Sequence, residues 1–180
     1  SPAAALKHFG LSVLLQGPAS IHNVFRLVEE RLCDYGVVPV ENSTEGMVGQ
    51  TLDCFLESPL QITGEIELPV VHHLLAGRGA EQSDIQLILG HEQALGQCRQ
   101  WLDGHLPNVP REAVASNGEA ARRAGVEAGV AAIAGELAAG LHQLDTLASA
   151  IQDSSTNTTR FLVLGKESVP PSGHDKTSLL

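Results

Sequence analysis

A chain of 180 residues, 43% apolar but only 3% aromatic, can bury a core of Leu, Val, Ala and Ile rather than of rings, as one domain or two small lobes. Its formal charge of −10 excludes a nucleic-acid or acidic-membrane surface, because those partners demand clustered Lys and Arg. No apolar run has the length of a membrane span, and the first residues lack a basic segment followed by an apolar one, so an unanchored cytoplasmic protein is expected.

In chain order, Ala3 to Phe9 suits a helix. Ser20 to Glu30 suits a second, whose apolar face is Ile21, Val24, Phe25, Leu27 and Val28. Val37 to Val40 reads as a short buried strand. It runs into the polar turn Glu41 to Gly46 and then a helical pattern through Val48, Leu52, Phe55 and Leu56. Strand, polar turn and helix in that order point free backbone N–H groups at an anion. Leu60 to Ile66 alternates like an edge strand, and Leu68 to Leu75, punctuated by Pro69, looks like a crossover between lobes. A new unit starts near Asp84, with a strand at Ile85 to Leu89 and a helix at Glu92 to Leu102. Ser116 with Glu119 forms a capping-box pattern that starts a helix at Gly118. Val130 to Ala134 is a strand of small residues, and Glu136 to Leu141 the next helix. This alternation predicts an α/β sheet with mainly parallel strands. After Leu144 to Gln152 the chain returns to the first lobe through a strand at Thr159.

The run Asn157-Thr158-Thr159-Arg160-Phe161-Leu162-Val163-Leu164-Gly165 sets hydroxyls and a guanidinium at the mouth of an apolar strand. A small anionic ligand could meet both there; the plainer reading is a buried strand behind a polar loop. Cys33, Cys54 and Cys98 have no CxxC spacing, so reduced structural thiols are expected, without disulfide or zinc. His72 and His73 are adjacent on a strand and point to opposite faces, which makes them structural rather than a metal pair.

Glu41-Asn42-Ser43-Thr44-Glu45-Gly46 and Thr158-Thr159-Arg160-Phe161 together resemble the signature segments of the prephenate dehydratase family. Matches in the family's order continue through Tyr35-Gly36-Val37-Val38-Pro39, Thr51-Leu52-Asp53, Gly64-Glu65, His72-His73-Leu74-Leu75, Gln93-Ala94-Leu95, Gln97-Cys98 and Ala131-Ala132-Ile133-Ala134, covering nearly the whole chain. The resemblance implies a two-lobed α/β fold like the type II periplasmic binding proteins, with a cleft between the lobes. Lobe 1 would comprise residues 1–70 plus 153–168, and lobe 2 residues 71–152. Residues 169–180 would be a linker and the start of an ACT domain that binds phenylalanine. Ser1 takes the place of the serine in the family's opening Thr-Phe-Ser, so the family's first strand is expected ahead of it.

The implied reaction turns prephenate into phenylpyruvate, with loss of carbon dioxide and the ring hydroxyl. Aromatisation drives it, so no cofactor or metal is expected. The protein must supply a donor at the departing hydroxyl and clamps for two carboxylates. By resemblance Thr159 is that donor, and Arg160 the second catalytic residue. Arg160 either holds a substrate carboxylate bidentately or pairs with Glu41 and shapes the site. Asn42, Ser43, Thr44, Gly46, Gln93, Thr158 and Phe161 are the expected substrate-binding residues. For Asn42 and Ser43 simple helix capping is the alternative, for Gly46 a kink at the helix start, and for Phe161 core packing. Glu41 would repel an anion unless protonated or tied to a cation. Glu92 departs from the family's usual proline or small residue. Arogenate dehydratase is the nearby alternative activity, and a non-catalytic anion-binding module the alternative of another class. A homodimer is the expected assembly.

Overall fold

The computed structural model describes residues 2–167, Pro170 and Gly173; the expectations that rest on Ser1 and on Lys176 to Leu180 lie outside the described residues. These form seven α-helices and nine strands, numbered in chain order. They divide into two compact units: residues up to Pro69 together with those from Thr156 on, and Val70–Ser155.

The first unit is built around its last strand. β9 (Thr158–Gly165) lies between β1 (Gly36–Asn42) and β3 (Gln61–Pro69), and β2 (Gly46–Met47) forms a hairpin with β1. Alternation gives β9 two apolar faces. Leu162 and Leu164 pack with Val38 and Val40 against Phe25 and Val28 of α2 (Ile21–Glu29) and Cys54 of α3 (Gly49–Glu57). Phe161 and Val163 pack with Ile66 against Ala4 of α1 (Pro2–Phe9). Burial on both faces explains why Phe161 to Leu164 is an unbroken apolar run. Ser20 caps α2 by accepting from the Asn23 N–H at 3.2 Å. Leu56, expected on the buried face of α3, is 74% exposed, and Thr51 and Cys54 take that face instead.

The second unit has the strand order β6-β5-β7-β4-β8. Its strands are β4 (His73–Ala76), β5 (Leu87–Gly90), β6 (Arg111–Ala113), β7 (Val130–Ala134) and β8 (Asp145–Ala148). β7 is buried along its whole length. Leu74, Ile88 and Ile133 face Cys98 and Leu102, while Leu75, Leu89 and Ala132 face Ala120, Ala121 and Ala124 of α6 (Asn117–Ala124). Ser116 caps α6, accepting from the Glu119 N–H at 3.1 Å. α7 (Glu136–His142) follows β7.

The expectation of mainly parallel strands fails. Only β5 with β6 and β5 with β7 are parallel, and the other five pairings are antiparallel. Strand-helix alternation yields parallel neighbours only where each helix crosses back within the same sheet. Here β9 enters its sheet from the opposite direction after a long excursion. The expected helix from Glu92 to Leu102 is also two helices, α4 (Glu92–Gln97) and α5 (Arg99–His105). Asp153 accepts from the N–H groups of Gln100 and Trp101 at 3.0 and 3.1 Å, opening a new helix start that an uninterrupted helix would have closed internally. Among the described residues no helix is long and apolar enough to cross a membrane.

His72 lies close to where the chain enters the second unit. It is 7% exposed; its Nε2 is 2.7 Å from Gln97 Oε1, and its Nδ1 has no partner among the described residues. Burial pushes its pKa below the ordinary value and His73 adds to this, while the Gln97 hydrogen bond opposes both. The unfolded chain therefore takes up this proton at a higher pH than the folded one. Stability should fall as pH drops below about 6.5 and continue to fall until the folded imidazole titrates. Urea melts of wild type and His72→Gln between neutral and mildly acidic pH check this. The variant should lose part of the slope, and equal slopes would refute the assignment.

Candidate active site

The β1–β9 ladder carries most of the candidate residues, and a β-bulge sets their partners. Gly36 to Pro39 pair with Leu164 to Phe161; the register then shifts, so that Glu41 faces Arg160 and Asn42 faces Thr159. Val40 is the extra residue. The bulge is held from α3 and the segment before it. Thr51, fully buried, donates its hydroxyl to the Pro39 carbonyl at 2.6 Å, and the Val48 N–H reaches the Val40 carbonyl at 2.9 Å.

The Asn42 amide has a defined orientation. One of its ends meets the N–H groups of Thr44 and Glu45 at 2.9 and 3.2 Å; these can only donate, so that end is the oxygen. The NH2 end therefore faces Thr159 and donates to its Oγ1 at 2.9 Å. With an acceptor site of Oγ1 filled, the hydroxyl proton of Thr159 is left to donate elsewhere. On its other side Thr159 has Leu68 of β3 as cross-strand neighbour. Phe161 lies on the same face, 7% exposed, with Ala4 in the first turn of α1 packed in the same cluster.

Arg160 faces the opposite side of β9. Its Nη1 is 3.2 Å from Glu41 Oε2, and its Nε is 3.6 Å from Glu65 Oε2. The second distance is within ion-pair range but too long for a hydrogen bond, and Nε has no hydrogen-bond partner among the described residues. Glu65 lies two residues from Glu67, the β3 register partner of Arg160, and so on the same face. Two carboxylates thus already face the guanidinium. Of the two sequence alternatives for Arg160, pairing with Glu41 is the one the geometry contains.

Ser43 extends the same rungs. Its N–H donates to the Thr158 carbonyl at 2.9 Å, and its hydroxyl oxygen accepts from the Thr158 N–H at 2.9 Å. The hydroxyl proton lies toward Asn157 Oδ1 at 3.3 Å and the Thr156 carbonyl at 3.4 Å. The hydroxyls of Thr44 and Thr158 carry no partner among the described residues.

The family model described as prephenate dehydratase matches residues 1–169. The chain belongs to the prephenate dehydratase family. It is 53% identical over 180 residues to the bifunctional chorismate mutase/prephenate dehydratase of Stutzerimonas stutzeri, covering all of this chain and 49% of that protein. It is 40% identical over 149 residues to arogenate dehydratase/prephenate dehydratase 2, chloroplastic, of Arabidopsis thaliana, covering 82% of this chain and 39% of that one. Among solved structures, the prephenate dehydratase of Arthrobacter aurescens in complex with L-Phe superposes with a TM-score of 0.85 at 31% identity, covering 98% of this chain and 59% of that one. The chain thus spans about half the length of its first curated relatives.

Against the expectations for a prephenate dehydratase, Asn42, Ser43, Thr158 and Thr159 come together at one end of β1 and β9, with Thr44 and Gly46 in the adjoining turn. The polar turn does not open a helix. Asn42 to Gly46 closes the β1–β2 hairpin and α3 starts only at Gly49, so the helix-capping alternative for Asn42 and Ser43 falls away. Gly46 is required by its φ of +85°, which a side chain rarely adopts, and not by a kink at a helix start. Gln93 stands in the first turn of α4, in the second unit. The Cys98 thiol is buried and pushed up to about 12, and burial raises Cys54 too, as suits unreactive core residues. Sequence reasoning assigned no task to Asn157, Thr51 or Glu65. Asn157 and Thr51 are among the few buried polar side chains, a property that no local pattern announces.

Proposed function

We propose that this chain carries the dehydratase activity of its full-length protein, converting prephenate to phenylpyruvate. The observation that carries the reading is the Asn42–Thr159 hydrogen bond, whose polarity leaves the Thr159 proton available to a departing oxygen. As the bond to the lost carboxylate breaks, its electron pair enters the ring and the ring C–O bond breaks. The prephenate dianion and one proton give the phenylpyruvate monoanion, carbon dioxide and water. A free threonine hydroxyl is a poor acid, so Thr159 acts chiefly by stabilising the departing hydroxide, while solvent supplies the net proton. Thr44, Thr158 and the hairpin turn at Gly46 are assigned to substrate binding around it. Arg160, tied to Glu41 and Glu65, offsets their charge beside an anionic substrate and positions the end of β9. Phe161 supplies an apolar wall from within the core, and Gln93 is assigned to substrate by resemblance alone.

Further parts of the proposal are a homodimer, a cytoplasmic location and a phenylalanine-binding ACT domain starting within residues 169–180. The L-Phe complex of the Arthrobacter aurescens relative supports the last. Prephenate is preferred to arogenate because the dehydratase named in the relative at 53% identity is a prephenate dehydratase, with no mention of arogenate. Incubating the full-length protein with each substrate tests this. Phenylpyruvate should form from prephenate faster than phenylalanine forms from arogenate. Turnover of neither would overturn the proposal, and faster turnover of arogenate would reverse the preference.

A further inference from the structure

Two registers are open to the end of β1, and they put different chemistry opposite Thr159. Continuing the pairing of Gly36 to Pro39 would bring Glu41 across from Thr159; the shift at Val40 brings Asn42 there instead. The difference matters for a donor. A carboxylate opposite the hydroxyl would accept its proton and add negative charge beside a dianion, whereas the amide fills an acceptor site and frees the proton. Thr51 and Val48 hold the bulge itself, and a tie beyond it keeps the last rungs from slipping by one residue.

We infer that Asn157 is a positioning residue for Thr159, acting through Ser43 to lock the shifted register. Asn157 is 5% exposed, and its Oδ1 stands 3.3 Å from the Ser43 hydroxyl. That hydroxyl in turn accepts from the Thr158 N–H, and the Ser43 N–H donates to the Thr158 carbonyl. Both peptide groups of Thr158 are thereby tied to the residue that follows Asn42. Ser43 opposite Thr158 is the next rung of the shifted register and is incompatible with the unshifted one. The Ser43 hydroxyl proton, set between Asn157 Oδ1 at 3.3 Å and the Thr156 carbonyl at 3.4 Å, leaves the Ser43 lone pairs toward Thr158. Asn157 thus adds, two rungs away, to the ties from Thr51 and Val48 that keep an amide rather than a carboxylate opposite the Thr159 hydroxyl. It needs no contact with substrate.

This inference rests on the proposed dehydratase reading for its kinetic consequence, but not for its structural one. The test uses Asn157→Ala, Ser43→Ala, the double variant and Ser43→Thr in the full-length protein. Two readouts are taken: steady-state kinetics with prephenate, and hydrogen exchange at the Thr158 amide. Asn157→Ala and Ser43→Ala should each lower kcat by up to about 100-fold, the size expected for a reacting group displaced by about 1 Å, with KM changed far less. The double variant should cost no more than the worse single one, because both break one clamp. Ser43→Thr, which keeps the hydroxyl, should retain most of the turnover. Thr158 should exchange faster in both alanine variants and stay protected in Ser43→Thr. Normal Thr158 protection with normal kcat in Asn157→Ala would overturn the inference, as would a fall in kcat that only tracks a lost folded fraction while Thr158 stays protected. If wild type fails to turn over prephenate, the activity reading fails, while the exchange readout still decides the clamp.

Discussion

Asn42→Asp should cost nearly as much turnover as Thr159→Ala, although it exchanges only an NH2 for an oxygen. The oxygen that caps the Thr44 and Glu45 N–H groups survives the change, so the hairpin turn and the fold should persist. What is lost is the donor to Thr159 Oγ1. The new carboxylate oxygen can only accept, so the threonine proton turns toward it and away from the substrate. Removing one well-placed donor from a developing oxyanion costs about 2 to 4 kcal/mol of barrier, which is the loss expected in kcat for both variants. Melting temperature and KM should change little in either. An Asn42→Asp protein with near-normal kcat would show that the hydroxyl works as an acceptor, or not at all.

The second large effect is on stability. Phe161→Ala removes the ring that joins Ile66, Val163 and Ala4 on one face of the sheet, with Phe9, Val37 and Leu68 packed around them. Deleting a buried Phe side chain costs about 3 to 5 kcal/mol, so the melting temperature should drop by about 6 to 20 °C. Phe161→Leu should lose much less. If Phe161 served mainly as a substrate contact, the alanine variant would raise KM without a comparable shift in melting temperature. Calorimetry beside steady-state kinetics separates the two.

The parts of this fold that were legible in the sequence are those whose cause is local. Ser20 to Glu30 shows its buried face at helical spacing, and Ser116 announces the start of α6 three residues ahead of Glu119. β7 and β9 are apolar runs because both their faces are covered. The edge strands β6 and β8 were missed because they are largely exposed and carry no alternating apolar pattern. The hairpin strand β2 is two exposed residues, invisible beside the helix that follows. The break between α4 and α5 depends on Asp153, 53 residues beyond Gln100, and no window around Cys98 contains it.

The same division holds at the site. Asn42 and Thr159 stand out by resemblance, but their mutual hydrogen bond spans 117 positions and depends on a bulge at Val40 that no composition predicts. Arg160 looked equally suited to substrate and to Glu41 in the sequence. The cross-strand register sets Arg160 beside Glu41, and Glu65 joins only because β3 lies on the far side of β9.

The proposed action of the Thr159 hydroxyl on the departing oxygen of prephenate can be measured without structural inference. The most direct measurement is the rate of phenylpyruvate formation by wild type and Thr159→Ala under saturating prephenate, with substrate affinity measured separately by equilibrium binding. Wild type should turn over rapidly, with kcat lower by about 30- to 1,000-fold in the variant and a dissociation constant within a few-fold of wild type. Near-normal kcat in Thr159→Ala, or a loss that lies wholly in binding, would contradict it.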